Sequence, residues 1–189
     1  FDGDAWFERG VALHDGALVF ADRPTHLRPP IAAGFLPGTT TEINAQAEAF
    51  VRTLADRLAR GAVFFIDYGF PDAEYYLPER RDGTLMCHRA HRSDSNPLAD
   101  IGAKDITAHV NFSAVALAAQ DAGFHVLGYT SQAHFLINGG MLPLMQNDRV
   151  DDVQLGENVF SEGLNNIVKN NDMNYPPEWR LSHSGRKKP

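Results

Sequence analysis

The chain has 189 residues, 43% of them hydrophobic and 22% charged, which suits one globular domain with a core of its own. A formal net charge of −7 argues against bulk attraction to nucleic acid or acidic membranes and weakly favours a basic partner; no apolar run approaches the roughly 20 residues that span a bilayer. The single cysteine, Cys87, excludes an internal disulfide framework and suits a reducing compartment. With no initiator Met and no signal-like segment ahead of Phe1, the chain reads as a piece of a longer protein.

"WFERGVALHDGALVFADRP" predicts two strands joined at Asp15-Gly16, since that pair supplies the positive φ values of a two-residue hairpin turn. A Pro- and Gly-rich loop follows. "TTTEINAQAEAFVRTLADRLARG" then predicts a helix. Thr39 and Glu42 have capping-box spacing, Ile43, Ala47, Phe50, Val51, Leu54 and Leu58 form one apolar stripe, and Gly61 stops it. "AVFFIDYG" is continuously apolar up to Asp67, the pattern of a strand buried on both faces of a helix-covered parallel sheet. Residues 70–108 are polar and Pro-punctuated, with "GTLMCHRA" as their one candidate strand. Asn111 is placed to cap a helix that Gly123 ends, and "FHVLGYT" reads as the next strand. Helix–Gly–strand thus occurs twice, and the fold class read from the residues is α/β. "AHFLINGGML" reads as a short helix or turn. Beyond residue 146 the composition changes, with seven of the chain's eleven Asn there, so residues 1–145 are read as the domain and 146–189 as a tail. Within that tail Phe160–Val168 suggest a short helix, "NYPPEWR" an extended segment and "SGRKKP" a basic end.

If 62–67 is an interior strand, Asp67, Tyr68 and Gly69 fall at its carboxyl end, where open α/β sheets collect ligands. A carboxylate there can hold a cationic or hydroxylated ligand, a phenol can donate a hydrogen bond, and glycine admits a close backbone. The plain structural alternative is that Asp67 caps a turn and Gly69 bends it. "DITAHVNF" packs Asp105, Thr107, His109 and Asn111 into the approach to a helix, more polar chemistry than capping alone requires. "CHRAH" groups Cys87, His88 and His91 without the further ligands and spacing of a zinc site, so no metal is predicted. G-x-S-x-G, G-x-G-x-x-G and Walker sequences are absent from the chain.

"FFIDYGF", "GTLMCHRAHR", "NPLADIGAKDITAHVNFSAVALAAQDAGF" and "LGYTSQAHFLINGG" resemble, in order and spacing, the carboxyl-terminal half of the MidA-type methyltransferases, a family that includes the mitochondrial complex I assembly arginine methyltransferase. The resemblance covers about residues 6–142. It rests on Asp67, Tyr68 and Gly69; on Gly83, Thr84, Leu85 and His91; on Pro97, Leu98, Gly102, Asp105, Thr107, Val110, Asn111 and Phe112; and on Gln132, Phe135 and Leu136.

The resemblance implies a class I, Rossmann-like fold, a mostly parallel sheet with helices on both faces, present here as a partial sheet with a hairpin and a long insertion. It implies methyl transfer from S-adenosylmethionine to a protein arginine, without a metal, in the cytoplasm or, in a eukaryote, the mitochondrial matrix. A protonated guanidinium is a poor nucleophile, so a carboxylate is required to orient and deprotonate it. Asp67 and Asp105 are the candidate catalytic groups, and Tyr68, Gly69, Thr107, His109 and Asn111 the candidate substrate contacts. The family's glycine-rich donor loop and its N-E-[VF]-x-D-x-L-P motif lie upstream of the matching part and are absent from this sequence, so the donor-binding residues are expected upstream of this chain. Two readings follow. One is an enzyme half that supplies the acceptor side and is inactive alone; the other is a non-catalytic interaction module that keeps the outer face of the fold.

Overall fold

The computed structural model describes residues 1–32 and 34–142. The expected tail of 146–189, with its short helix, extended segment and basic end, lies outside the described residues. The chain divides into two compact units, one made of Phe1–Leu54 with Asp67–Ala118, the other of Ala55–Ile66 with residues from Ala119 onward.

In the first unit, β1 (Phe7–His14) and β2 (Ala17–Pro24) form the expected antiparallel hairpin, with Asp15 and Gly16 at φ 49° and 77°. Cross-strand ion pairs Arg9–Asp22 at 2.7 Å and Arg23–Glu8 at 2.8 Å hold its register. Next comes α1 (Ala45–Arg57), which buries Val51. The insertion is more ordered than its polarity suggests. It holds a short helix α2 (Asp72–Tyr75) and a three-stranded antiparallel sheet of β4 (Met86–Arg89), β5 (Arg92–Asp94) and β6 (Asp105–Thr107), in the order β5-β4-β6. β3 (Gly69–Phe70) pairs in parallel with β7 (Val110–Asn111), and α3 (Phe112–Asp121) follows directly. Asn111 caps α3 as expected, its Oδ1 accepting the Ala114 N–H at 3.0 Å.

The expected capping box does not form. Ala47 N–H donates to Asn44 Oδ1 at 3.0 Å, so Asn44 starts α1, and the Thr39 hydroxyl turns back to the Leu36 carbonyl at 2.7 Å. Tertiary bonds outcompete the local box. Thr40 N–H donates to the Arg81 carbonyl at 2.7 Å, and the Glu42 carboxylate is taken by the loop before β4. Glu42 Oε1 accepts the N–H groups of Thr84 at 2.6 Å and Leu85 at 2.9 Å, and Oε2 accepts the Tyr75 hydroxyl at 3.3 Å. Gly83 makes this possible. Its φ is +74°, and a Cβ there would stand 2.5 Å from Glu42 Oε1.

The network continues toward β7. Thr84 Oγ1 accepts the His109 N–H at 3.0 Å, and the Tyr75 hydroxyl lies 3.3 Å from the His109 carbonyl. Tyr76 donates to the Glu42 carbonyl at 3.3 Å and receives Asn111 Nδ2 at 3.3 Å. Tyr75 and Tyr76 are buried, and their rings meet edge-on at 5.0 Å; Tyr76 continues through Phe35 and Trp6 to Phe1. The core of this unit is therefore aromatic and hydrogen-bonded.

In the second unit the expected strands are corrected. Residues 62–66 and 124–130 are not strands, and Phe64, Phe65 and Ile66 are 40%, 42% and 68% exposed. A continuous apolar run becomes an interior strand only between neighbouring strands and beneath covering layers. The described residues cover this run only in part, and the parallel sheet that they build is limited to the β3–β7 pair in the first unit. The glycine stop is as expected: Gly123 has φ +93°, and Phe124 N–H bonds the Ala119 carbonyl at 2.9 Å. The short helix is also present, as α4 (Gln132–Asn138), whose N-cap Ser131 accepts the His134 N–H at 3.3 Å. No helix among the described residues is long and apolar enough to cross a membrane.

Glu42→Ala strands two backbone donors and a buried phenol, so denaturant unfolding should show a loss of about 3 kcal/mol, while Glu42→Gln should lose about 1 kcal/mol. Losses below about 0.5 kcal/mol for both would remove Glu42 from its central place. Burial raises the Tyr75 and Tyr76 pKa values from 10.0 to about 12. A pKa raised in the folded state means stability is intact below pH 10 and falls as pH rises toward about 12. In an alkaline titration read by phenolate absorbance, Tyr75 and Tyr76 should ionise near pH 12 and together with unfolding.

Candidate functional site

Asp67, Tyr68 and Gly69 lead into β3, at its amino end. This corrects their expected position at the carboxyl end of a buried strand, because the strand here begins with Gly69 and does not end there. Asp67 is exposed and its Oδ1 accepts the Tyr68 N–H at 2.8 Å, the local turn bond of the plain structural alternative. Its other oxygen receives no hydrogen bond among the described residues. The Tyr68 side chain is free to meet a ligand, with the residue 83% exposed, while its carbonyl accepts the Val110 N–H at 2.8 Å. Gly69 is explained by packing. A Cβ there would collide with the Val110 carbonyl and the Phe112 ring, so the backbone that approaches it is the protein's own β7.

His109 sits beside this turn. Its ring stacks on Phe70 at 5.0 Å and 16°, and its main chain is held from both sides by Thr84 and Tyr75. Arg80 lies on the same aromatic ring, with Cζ 4.6 Å from the Phe70 centroid. The parallel β3–β7 pairing thus sets the backbone that follows Asp67 and Tyr68 beside the one that follows His109, and Phe70 and His109 are in ring contact.

Asp105 and Thr107 belong to β6, a different sheet. Asp105 is exposed opposite His88, and Thr107 donates to the Met86 carbonyl at 3.3 Å. No hydrogen bond or ion pair among the described residues links Asp105 to Asp67, Tyr68 or His109. Asn111 is 8% exposed and its amide is committed to the fold. Nδ2 donates to Asp72 Oδ1 at 2.6 Å and Oδ1 caps α3, while Asp72 N–H bonds Ser113 Oγ at 3.0 Å. Cys87 is buried in β4, and His91 occupies the β4–β5 turn at φ 62°. Among the described residues, no three His, Cys, Asp or Glu side chains gather as metal ligands do.

Sequence reasoning missed Glu42, Thr84 and Arg80. Glu42 carried a signal that pointed elsewhere, its capping-box spacing. Thr84 lay inside a recognised motif without an assigned role, and nothing in the sequence marked Arg80.

No curated protein matches this chain. Residues 1–130 match a family model described as "Putative S-adenosyl-L-methionine-dependent methyltransferase". A crystal structure from Burkholderia thailandensis, solved with S-adenosyl-homocysteine bound, is 45% identical with a TM-score of 0.70 over 88% of this chain and 44% of its own. A native crystal structure of an uncharacterized protein from the same organism is 43% identical with a TM-score of 0.71, over 89% of this chain and 46% of its own. The chain therefore spans less than half the length of either solved relative. With the family model matched from the first residue through the β3–β7 site and α3, the chain belongs to this S-adenosylmethionine-dependent methyltransferase family.

Proposed function

We propose that this chain is the acceptor-side part of an S-adenosylmethionine-dependent methyltransferase whose acceptor is an arginine of a protein. The observation that carries the methyltransferase reading is the family match over residues 1–130, together with a 45% identical relative holding S-adenosyl-homocysteine. The finer assignments are also proposals: kinship with the MidA-type enzymes, a complete class I sheet in the full-length enzyme, and a cytoplasmic or mitochondrial-matrix setting.

The donor supplies a methyl group on a sulfonium. The described residues do not fit it. Among them no glycine-rich loop runs from a strand into a helix N-terminus, and the glycines nearest the site are filled by the protein's own groups, Gly69 by β7 and Gly83 by Glu42. No step at the sulfonium is assigned to them.

The proposed work of these residues lies on the acceptor. A guanidinium must be held and relieved of a proton before its nitrogen can attack. Asp67 suits this because it is exposed and its turn bond occupies one oxygen, leaving the second for a guanidinium N–H. Tyr68 offers an exposed phenol and ring face beside it, and the His109 ring is fixed nearby. Asp105, with Thr107 on the same strand, is the second candidate carboxylate. Gly69 and Asn111 act by setting the backbone that carries these groups. The exposed apolar run Val63–Ile66 favours a second reading, a non-catalytic module that grips a partner protein.

Asp67→Asn in the full-length enzyme keeps the shape and removes the charge. Methyl transfer to protein should fall by roughly 10²-fold or more with folding and donor affinity unchanged. Transfer at the parental rate would leave Asp67 as a turn cap, and the same substitution at Asp105 would then decide between the two carboxylates and the non-catalytic reading. Calorimetric titration of the chain alone with S-adenosylmethionine should show weak binding or none; sub-micromolar affinity would place a donor site within these residues.

A further inference from the structure

A guanidinium carries five N–H donors, and Arg80 has few acceptors for them. Its Nη2 reaches the Glu74 carbonyl at 3.4 Å, at the far limit of a hydrogen bond, and its Nε is buried and has no hydrogen-bond partner among the described residues. The adjacent Arg81, by contrast, donates to the Pro37 carbonyl, and Arg89 is paired with Asp100 at 3.3 Å. A buried donor left unpaired is costly.

What holds Arg80 in this position is the Phe70 ring, 4.6 Å from its Cζ. Phe70 follows Asp67 by three positions, and its ring is stacked on His109 at 5.0 Å. The His109 main chain is tied through Thr84 to the Glu42 network. A guanidinium held over a ring face keeps its N–H donors for acceptors off the ring. The ligand that satisfies Nε and an Nη together is a carboxylate, taken in bidentate fashion. Because Nε is buried, receiving a carboxylate there requires the side chain to turn, which gives up the long Glu74 contact.

We propose that Arg80 is a docking group for a carboxylate of the acceptor protein, an Asp or Glu side chain near the methylated residue, held on the Phe70–His109 stack beside Asp67 and Tyr68. This rests on the reading of the chain as the acceptor side of a protein methyltransferase. It gives the site a cation for an acidic neighbour and an anion, Asp67, for the acceptor itself. Arg80 is a positioning residue for substrate and takes no part in proton transfer.

The test is binding without a methyl donor, so it stands or fails apart from catalysis by Asp67. The isotope-labelled 189-residue chain is titrated with N-acetyl-glutamyl-arginine amide, with its glutaminyl counterpart and with sodium acetate, reading the ring resonances of Phe70 and His109. The glutamyl peptide should saturate at roughly tenfold lower concentration than the glutaminyl one, the scale of one charge-assisted hydrogen bond. The gap should vanish in Arg80→Gln and narrow in Arg80→Lys, which keeps the charge but loses the fork. Should Arg80→Gln fail to fold, the narrowing in Arg80→Lys carries the comparison. Equal responses to the two peptides, a gap of parental size in either substituted chain, or acetate matching the glutamyl peptide would overturn the proposal, the last by making a free carboxylate the ligand.

Discussion

Two backbone N–H groups converge on one carboxylate oxygen, Oε1 of Glu42, and the geometry of the site follows from that convergence. The bonds fix the loop Gly83-Thr84-Leu85 in front of β4. Thr84, once fixed, presents its hydroxyl to the His109 N–H, and His109 immediately precedes β7. A charged acceptor is suited to this work because hydrogen bonds to an ionised group are shorter and stronger than neutral ones. It also explains why the loop carries glycine at 83, where a side chain would displace the carboxylate.

From that anchor the site is assembled by short-range geometry. The β3–β7 pair is two residues long on each side, too short to be stable alone, and it is buttressed by Asn111–Asp72, Asp72–Ser113 and the two buried tyrosines. This support places structural groups under the turn and leaves Asp67 and Tyr68 above it. The residues thus sort by exposure. Asn111, Thr84 and Ser113 are buried and satisfied within the fold, whereas Asp67, Tyr68 and Asp105 face outward. Chemistry on a ligand requires the second kind, and their precision depends on the first.

The chain's exposed apolar surface is consistent with its coverage of less than half of each solved relative. Val63–Ile66 and Phe50 are exposed although their sequence pattern is that of a covered element. Pattern and exposure disagree where the layers that normally cover such elements are not supplied by the described residues. Membership of the methyltransferase family is compatible with the lack of a glycine-rich loop of donor-binding form among the described residues, since the chain spans less than half of either solved relative.

Features set by neighbours in sequence were legible in the sequence. The Asp15-Gly16 hairpin, the Asn111 cap, the Gly123 stop and the short helix at 132–138 each depend on local φ preferences and on one side chain reaching its own backbone. The motifs "IDYG" and "DITAHVNF" likewise lead into the short strands that pair in parallel, Gly69 with Val110 and Phe70 with Asn111. Tertiary structure decided what local rules left open. It drew Glu42 away from a capping box toward a loop some forty residues on, gave a polar insertion a three-stranded sheet, and set Arg80 on Phe70. It also left "AVFFI" exposed, because an apolar run fixes only a preference for burial, while burial itself requires other parts of the molecule to lie against it.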